Sequence, residues 1–176
     1  SYGYAVAADI EVTATRRGTP ALSLRGKIVV GDYQKLKAAY TKLQFGTILY
    51  LDSPGGDLRE AMRMGELIRL LQVQTSVMRD KICASACFFV FLGGAGRSAS
   101  GAISGSPLPL GLAFGYVGLH RPSLVAPSGE PESLERQANA MKRVRAYLEG
   151  YLVSSRLIDL MMSRPSNDIY WISDDD

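Results

Sequence analysis

Residues 46–77 read GTILYLDSPGGDLREAMRMGELIRLLQVQTSV. A short apolar run meets a glycine turn, a helical pattern follows, and a second short strand pattern closes the unit. A run such as GTILYLD is apolar on both faces, as a strand inside a parallel sheet is. The segment DLREAMRMGELIRLLQ repeats its apolar residues at helical spacing. Leu58, Ala61, Met62, Gly65 and Ile68 are expected to line its buried face, and Asp57 with Glu60 to form a capping box. The alternation continues on both sides. DIEVTAT and ALSLRGKIVV are rich in strand formers and are separated by the turn cluster RRGTP, which reads as a hairpin or two sequential strands. GDYQKLKAAYTKL places Tyr33, Leu36, Tyr40 and Leu43 at helical spacing. QTSVMR and GYVGLH read as further strands. A long helix is expected over about 133–155, with Leu134, Ala138, Met141, Leu148 and Leu152 on one side. Strands alternating with helices predict an α/β fold of βαβ units, with a mainly parallel sheet and right-handed crossovers.

A chain of 176 residues, 47% apolar and 21% charged, has enough material for one sizeable core. One domain is expected over 1–176, with residues 1–20 an N-terminal extension or strand. The formal net charge of +3 is too mild to call for nucleic acid, and no basic stripe is interleaved with aromatics. No apolar run reaches the roughly 18 residues that a membrane span needs. The opening SYGYAVAAD has small residues of the kind that precede signal-peptidase cleavage, without a basic or long apolar stretch before them. An exported, periplasmic location is the expectation, and a cytoplasmic one the alternative. The two cysteines, Cys83 and Cys87, do not decide it. Residues four apart on a helix share a face, so the pair either oxidises or packs as two small buried thiols. They make no metal site by themselves, because the chain has one histidine and no further cysteine.

Chemistry concentrates at three places. In LYLDSPGGD, Gly55 and Gly56 lie where a strand passes into a helix, and glycine lets the backbone present an N–H unobstructed. Such an N–H is well placed to hold an oxyanion, although Ser-Pro-Gly-Gly is also a common turn. In KICASACFFVFLGGAG, Ala84 and Ala86 leave the hydroxyl of Ser85 uncovered. If a helix starts here, Ser85 sits in its first turn, and the Ala86 N–H is a second oxyanion donor beside Gly56. The plain alternative is that Ser85 is an N-cap. Against a helix, CFFVF carries strand propensity. The one histidine, His120, falls at the end of the strand pattern YVGLHRP, as a structural residue or as a catalytic side chain emerging from a sheet.

Taken in order, these segments resemble the Clp protease proteolytic subunit and, more broadly, the ClpP/crotonase superfamily with its exported ClpP-like members. The likeness runs over roughly Leu22 to Ser173. LSLRGKIVVGD is similar to the family's opening strand and turn, and LYLDSPGGDLREAM to its glycine turn and following helix. ICASACFFVFLGGAGR is similar to the nucleophile helix, and VGLHRP to the histidine strand. The resemblance implies a Ser85 nucleophile, a His120 general base, and an oxyanion hole built from the N–H groups of Gly56 and Ala86. It places the acid at Asp168, in SNDIYWIS. A serine–histidine pair needs such a carboxylate to set the imidazole tautomer. Asp52, Asp57, Asp159 and Asn167 are the other candidates. Two departures from the family stand out: a Gly/Ser/Pro-rich insertion over 98–114, read as a flap, a subunit contact or a surface excursion, and an end in SDDD where the family continues with a helix.

The expected activity is serine endopeptidase hydrolysis of short or unfolded polypeptides, with no metal or organic cofactor. Self-association through the long helix is implied by the resemblance. An exported location argues against an ATP-driven unfoldase partner. Two alternatives differ in class: a crotonase-like acyl-CoA enzyme, and a catalytically impaired binding or assembly module on the same scaffold.

Overall fold

The computed structural model describes residues 7–43, 46–99, 116–123 and 134–172. The insertion expected over 98–114 lies outside the described residues from position 100 onward, as do residues 1–6 and the closing SDDD. The chain divides into two compact units. Residues up to Leu119, with those from Trp171, form the first, and His120–Tyr170 the second.

The first unit begins with a hairpin. Strand β1 (Asp9–Ala14) pairs antiparallel with β2 (Pro20–Arg25), Asp9 opposite Arg25 and Ala14 opposite Pro20. At the turn, Thr15 N–H donates to the Thr19 carbonyl at 2.8 Å and Thr19 N–H to the Thr15 hydroxyl at 3.1 Å. From there the sheet turns parallel. Strand β3 (Ile48–Asp52) pairs with β2, Leu22 opposite Leu49 and Arg25 opposite Asp52. Strand β4 (Gln74–Val77) pairs with β3, and β6 (Arg97–Ala99) with β4. The order is β1-β2-β3-β4-β6. Its central side chains Leu22, Leu24, Leu49 and Leu51 are closed to solvent, as their continuous apolar character requires.

Helix α1 (Asp32–Tyr40) links β2 to β3, and α2 (Leu58–Leu70) links β3 to β4. The capping box at α2 forms by half. Asp57 accepts from the Glu60 N–H at 2.8 Å, but the Glu60 carboxylate does not return to Asp57. Instead it accepts from the N–H groups of Gly31 at 2.9 Å and Tyr33 at 2.8 Å, satisfying the start of α1. Ala61, Gly65 and Ile68 of the face expected on α2 are buried, and the face extends further over Met64 and Leu67. Glu60, Ala61, Met64, Gly65, Leu67 and Ile68 are buried, whereas Met62 is half-buried. The stripe follows Gly65, because α2 meets the backbone at Gly93 there. A Cβ on Gly93 would overlap the Gly65 backbone.

Strand β5 (Ile82–Ala84) leads into α3 (Ala86–Leu92). CFFVF is thus helical despite its strand propensity. Cys87, Phe88, Phe89, Val90 and Leu92 are all buried, and burial on nearly every face outweighs a preference worth under about 1 kcal/mol per residue. A second sheet has the order β5-β7-β8, with β7 at Tyr116–Leu119 and β8 at Tyr170–Trp171. Strand β7 runs parallel to β5, Ile82 opposite Tyr116 and Ala84 opposite Gly118. Ile172 N–H donates to the Val117 carbonyl at 2.9 Å.

The second unit holds α4 (Leu134–Gly150) and α5 (Ser155–Ser163). Ser154 caps α5 by accepting from the Leu157 N–H at 3.2 Å. Among its described residues, Val144, Tyr147, Leu148, Ile158 and Met161 are buried. Of the side chains expected on the covered face of α4, only Leu148 is buried, while Leu134 and Leu152 are exposed by 84% and 92%.

Candidate active site

The chain reverses at Ser85 between β5 and α3. Its backbone has φ 56° and ψ −124°, a conformation open to glycine and costly for other residues, on the order of 1–3 kcal/mol. Hydrogen bonds pin the turn on both sides. Ser85 N–H donates to the Gly118 carbonyl at 2.9 Å, and Phe88 N–H donates to the Ser85 carbonyl at 3.0 Å. Although Ser85 occupies the N-cap position of α3, its side chain makes no capping hydrogen bond. The residue is half-buried between the buried Ala84 and Ala86. The N-cap alternative therefore does not describe this serine. Cys83 and Cys87 are joined by a disulfide, so the oxidised one of the two expected states is present.

The glycine turn is pressed against this reversal. Ser53 N–H donates to the Ile82 carbonyl at 2.7 Å, and Ala84 N–H to the Ser53 carbonyl at 3.0 Å. The buried Ser53 hydroxyl accepts from Gly55 N–H at 3.1 Å. Gly55 has φ 97°, and a Cβ there would stand 2.6 Å from the Ala84 carbonyl oxygen, 2.7 Å from Ala86 N and 2.8 Å from Ser85 Cβ. Only glycine allows so close an approach. The far side of the turn is tied to β2's extension, with Ile28 N–H donating to the Gly55 carbonyl at 2.8 Å and Asp57 N–H to the Ile28 carbonyl at 2.9 Å. Among the described residues, the N–H groups of Gly56 and Ala86 donate to nothing. The first unit thus carries a strained serine packed against Gly55, and among the described residues its hydroxyl and the N–H groups of Gly56 and Ala86 are uncommitted. That combination suits acyl transfer, which needs a nucleophile and a place for the oxyanion.

The second unit holds the other two candidates. His120, half-buried, donates from Nδ1 to the Arg121 carbonyl at 2.8 Å, since a carbonyl can only accept. That leaves the lone pair on Nε2, the tautomer a general base needs. Asp168 accepts from Arg164 Nη1 at 2.8 Å, and its own N–H donates to the Pro165 carbonyl at 3.0 Å. The Arg164 guanidinium also lies 5.5 Å from the Tyr170 ring centroid. His120 and Asp168 are not hydrogen-bonded to each other: the far imidazole nitrogen is met by a main-chain carbonyl, the carboxylate by an arginine. Asp159 pairs with Arg145 at 2.8 Å, and Asp52 with Lys81 at 3.0 Å and Arg25 at 3.6 Å.

Two residues of this arrangement were not singled out from the sequence. Ser53 sits two residues before Gly55, and Ser-x-Gly is a recognisable side-chain-to-backbone turn. Arg164 lies just past α5, and the turn closed by Asp168 N–H on the Pro165 carbonyl brings its guanidinium to the Asp168 carboxylate. Among the described residues no group of three His, Cys, Asp or Glu side chains is placed to hold a metal ion, and no helix is long and apolar enough to cross a membrane.

No family model matches the sequence. No curated protein is significantly similar to it in sequence. Solved structures are similar in fold. ClpP1 from Listeria monocytogenes matches over 87% of this chain and 82% of its own, at 13% identity and a TM-score of 0.58. A serine-to-alanine mutant of the 1510-N membrane-bound stomatin-specific protease matches over 85% of this chain and 70% of its own, at 14% identity and a TM-score of 0.52. The chain has a ClpP-like α/β fold, and both of these neighbours are proteases.

Proposed function

We propose that the protein is a ClpP-like serine endopeptidase that cleaves short or unfolded polypeptides with Ser85 as nucleophile. The observation that carries this reading is the strained Ser85 turn packed against Gly55, with the Ser85 hydroxyl and the N–H groups of Gly56 and Ala86 uncommitted among the described residues. His120 acts as general base and Asp168 as the acid that steadies it. Two features support His120. Its Nδ1–H is already engaged, leaving Nε2 to accept a proton. In sequence it follows β7 just as Ser85 follows β5, and these strands are parallel partners with Ala84 opposite Gly118.

In the reaction, Ser85 Oγ bonds to the substrate carbonyl carbon while its proton passes to His120 Nε2. The carbonyl oxygen takes the negative charge and is held by the Gly56 and Ala86 N–H groups. Collapse breaks the C–N bond, and the amine leaves with the proton from His120. Water, deprotonated by His120, then releases the acyl group by the same steps in reverse. Each oxyanion donor is worth about 10²–10³ in turnover.

The same proposal places the protein outside the cytosol, supported by the Cys83–Cys87 disulfide, since such bonds persist in oxidising compartments. It also includes self-association, for which the uncovered Leu134 on α4 offers apolar surface. A second reading, a non-catalytic assembly module, is favoured by one observation: Arg164 rather than His120 holds the Asp168 carboxylate.

Cleavage of a chemically unfolded reporter polypeptide separates the two. The peptidase reading predicts cleavage by the wild type and a loss of about 10⁴-fold or more in Ser85→Ala and His120→Ala. No cleavage by the wild type would favour the assembly module, and equal cleavage by Ser85→Ala would overturn the assignment of Ser85 as nucleophile.

A further inference from the structure

We infer that the Cys83–Cys87 disulfide is a positioning strut that holds Ser85 in its strained, reactive conformation, an inference that rests on the peptidase reading for its functional meaning. The bond joins the residue two before Ser85 to the residue two after it. It therefore closes the smallest loop that contains the whole reversal from β5 into α3. Four residue steps span about 13–14 Å when extended, but here the two Cα atoms are 5.1 Å apart. The chain must turn back at Ser85, and the crosslink keeps it there.

Three features mark this role as local. Crosslinks gain stability by restricting the unfolded chain, and the gain shrinks as the loop shortens, so a five-residue loop does least for the whole fold. Both cysteines are fully buried while Ser85 is half-exposed, so the bond is closed to solvent within a loop whose serine is not. The conformation held is one a serine would leave if its ends were free: φ 56° would relax to the negative side, carrying the Ala84 carbonyl and the Ala86 N–H with it. Gly55 leaves no slack on its side, being packed against those same atoms. Helix α3 is only seven residues long and gives its own first turn little support.

Reduction would remove the strut. Two electrons and two protons from a dithiol turn the disulfide into two thiols, and the dithiol closes into its own disulfide. Burial of both sulfurs makes this step slow in the native protein, so reduction in dilute urea followed by urea removal is the practical route.

Three quantities are measured on the oxidised protein, the reduced protein, the re-oxidised protein and the Cys83→Ala/Cys87→Ala variant. These are the rate of Ser85 labelling by a fluorophosphonate, the amide exchange of Ser85 and Phe88, and the thermal midpoint. The Ser85 and Phe88 amides are chosen because their hydrogen bonds, to the Gly118 and Ser85 carbonyls, define the turn. The strut predicts that reduction slows labelling at least tenfold and speeds both amides at least tenfold. Exchange elsewhere in the sheet stays within about threefold, and re-oxidation restores all values. Unchanged labelling and exchange in the reduced protein would overturn it. So would exchange rising throughout the chain, because the bond would then serve the whole fold. If the oxidised wild type is not labelled at all, the peptidase reading fails, and the two amides alone decide the strut by the same criterion.

Discussion

At the scale of single residues, the site depends on two backbones that come closer than side chains allow. Gly55 is the test of this. Its φ of 97° and the three backbone and Cβ atoms within 2.8 Å leave an added methyl nowhere to go. Gly55→Ala is expected to cost about 2–4 kcal/mol, the sum of a strained backbone and local overpacking. Urea denaturation reads this directly, and a loss under about 1 kcal/mol would mean that the turn and the serine loop are not packed as described. The presence of Gly-Gly before a helix was legible from sequence, because glycine at a strand-to-helix junction signals a close approach. What the glycine approaches was not, because Ser85 is thirty residues further along the chain. The state of Cys83 and Cys87 was open for a similar reason. Spacing permits a bond between them, but only the reversal at Ser85 brings the two sulfurs together.

At the scale of elements, α1 and α2 are joined by one carboxylate. Glu60 is 4% exposed, accepts from two N–H groups at the start of α1, and pairs with Arg63 at 3.3 Å. Glu60→Ala leaves those half-buried donors without their acceptor and is expected to cost about 2–4 kcal/mol. Glu60→Gln keeps an acceptor and is expected to cost less than half as much. Equal losses in thermal and chemical denaturation would show that Glu60 acts by charge alone. Sequence placed Glu60 in a capping box within α2, which is a local rule. The competing partner, the N-terminus of α1, is nonlocal and wins because the buried Glu60 carboxylate accepts from two of its N–H groups. The face of α2 was placed only in part, for the same kind of reason. Periodicity finds a stripe, but Gly65 against Gly93 decides where its centre lies. Helix α4 departs furthest, with Leu134 in the open, because helical spacing alone does not say how much of a face finds cover.

At the scale of the whole molecule, the α/β class with a mostly parallel sheet was readable from the alternation of apolar runs and amphipathic helices. The order β1-β2-β3-β4-β6 and the separate β5-β7-β8 sheet were not, because strand order depends on which edges meet. The division of labour that results is the basis of the functional reading. A rigid parallel sheet carries the glycine turn, and a second sheet delivers Ser85 beside it. The tight local geometry is built from main-chain bonds, which side-chain patterns do not report. The central claim is that this geometry makes Ser85 an activated nucleophile. Mapping the adduct of a fluorophosphonate by mass spectrometry on the oxidised protein tests it most directly. The account predicts one modified residue, Ser85, and no adduct in Ser85→Ala. An unmodified Ser85 at full probe excess, or the same adduct mass in Ser85→Ala, would contradict it.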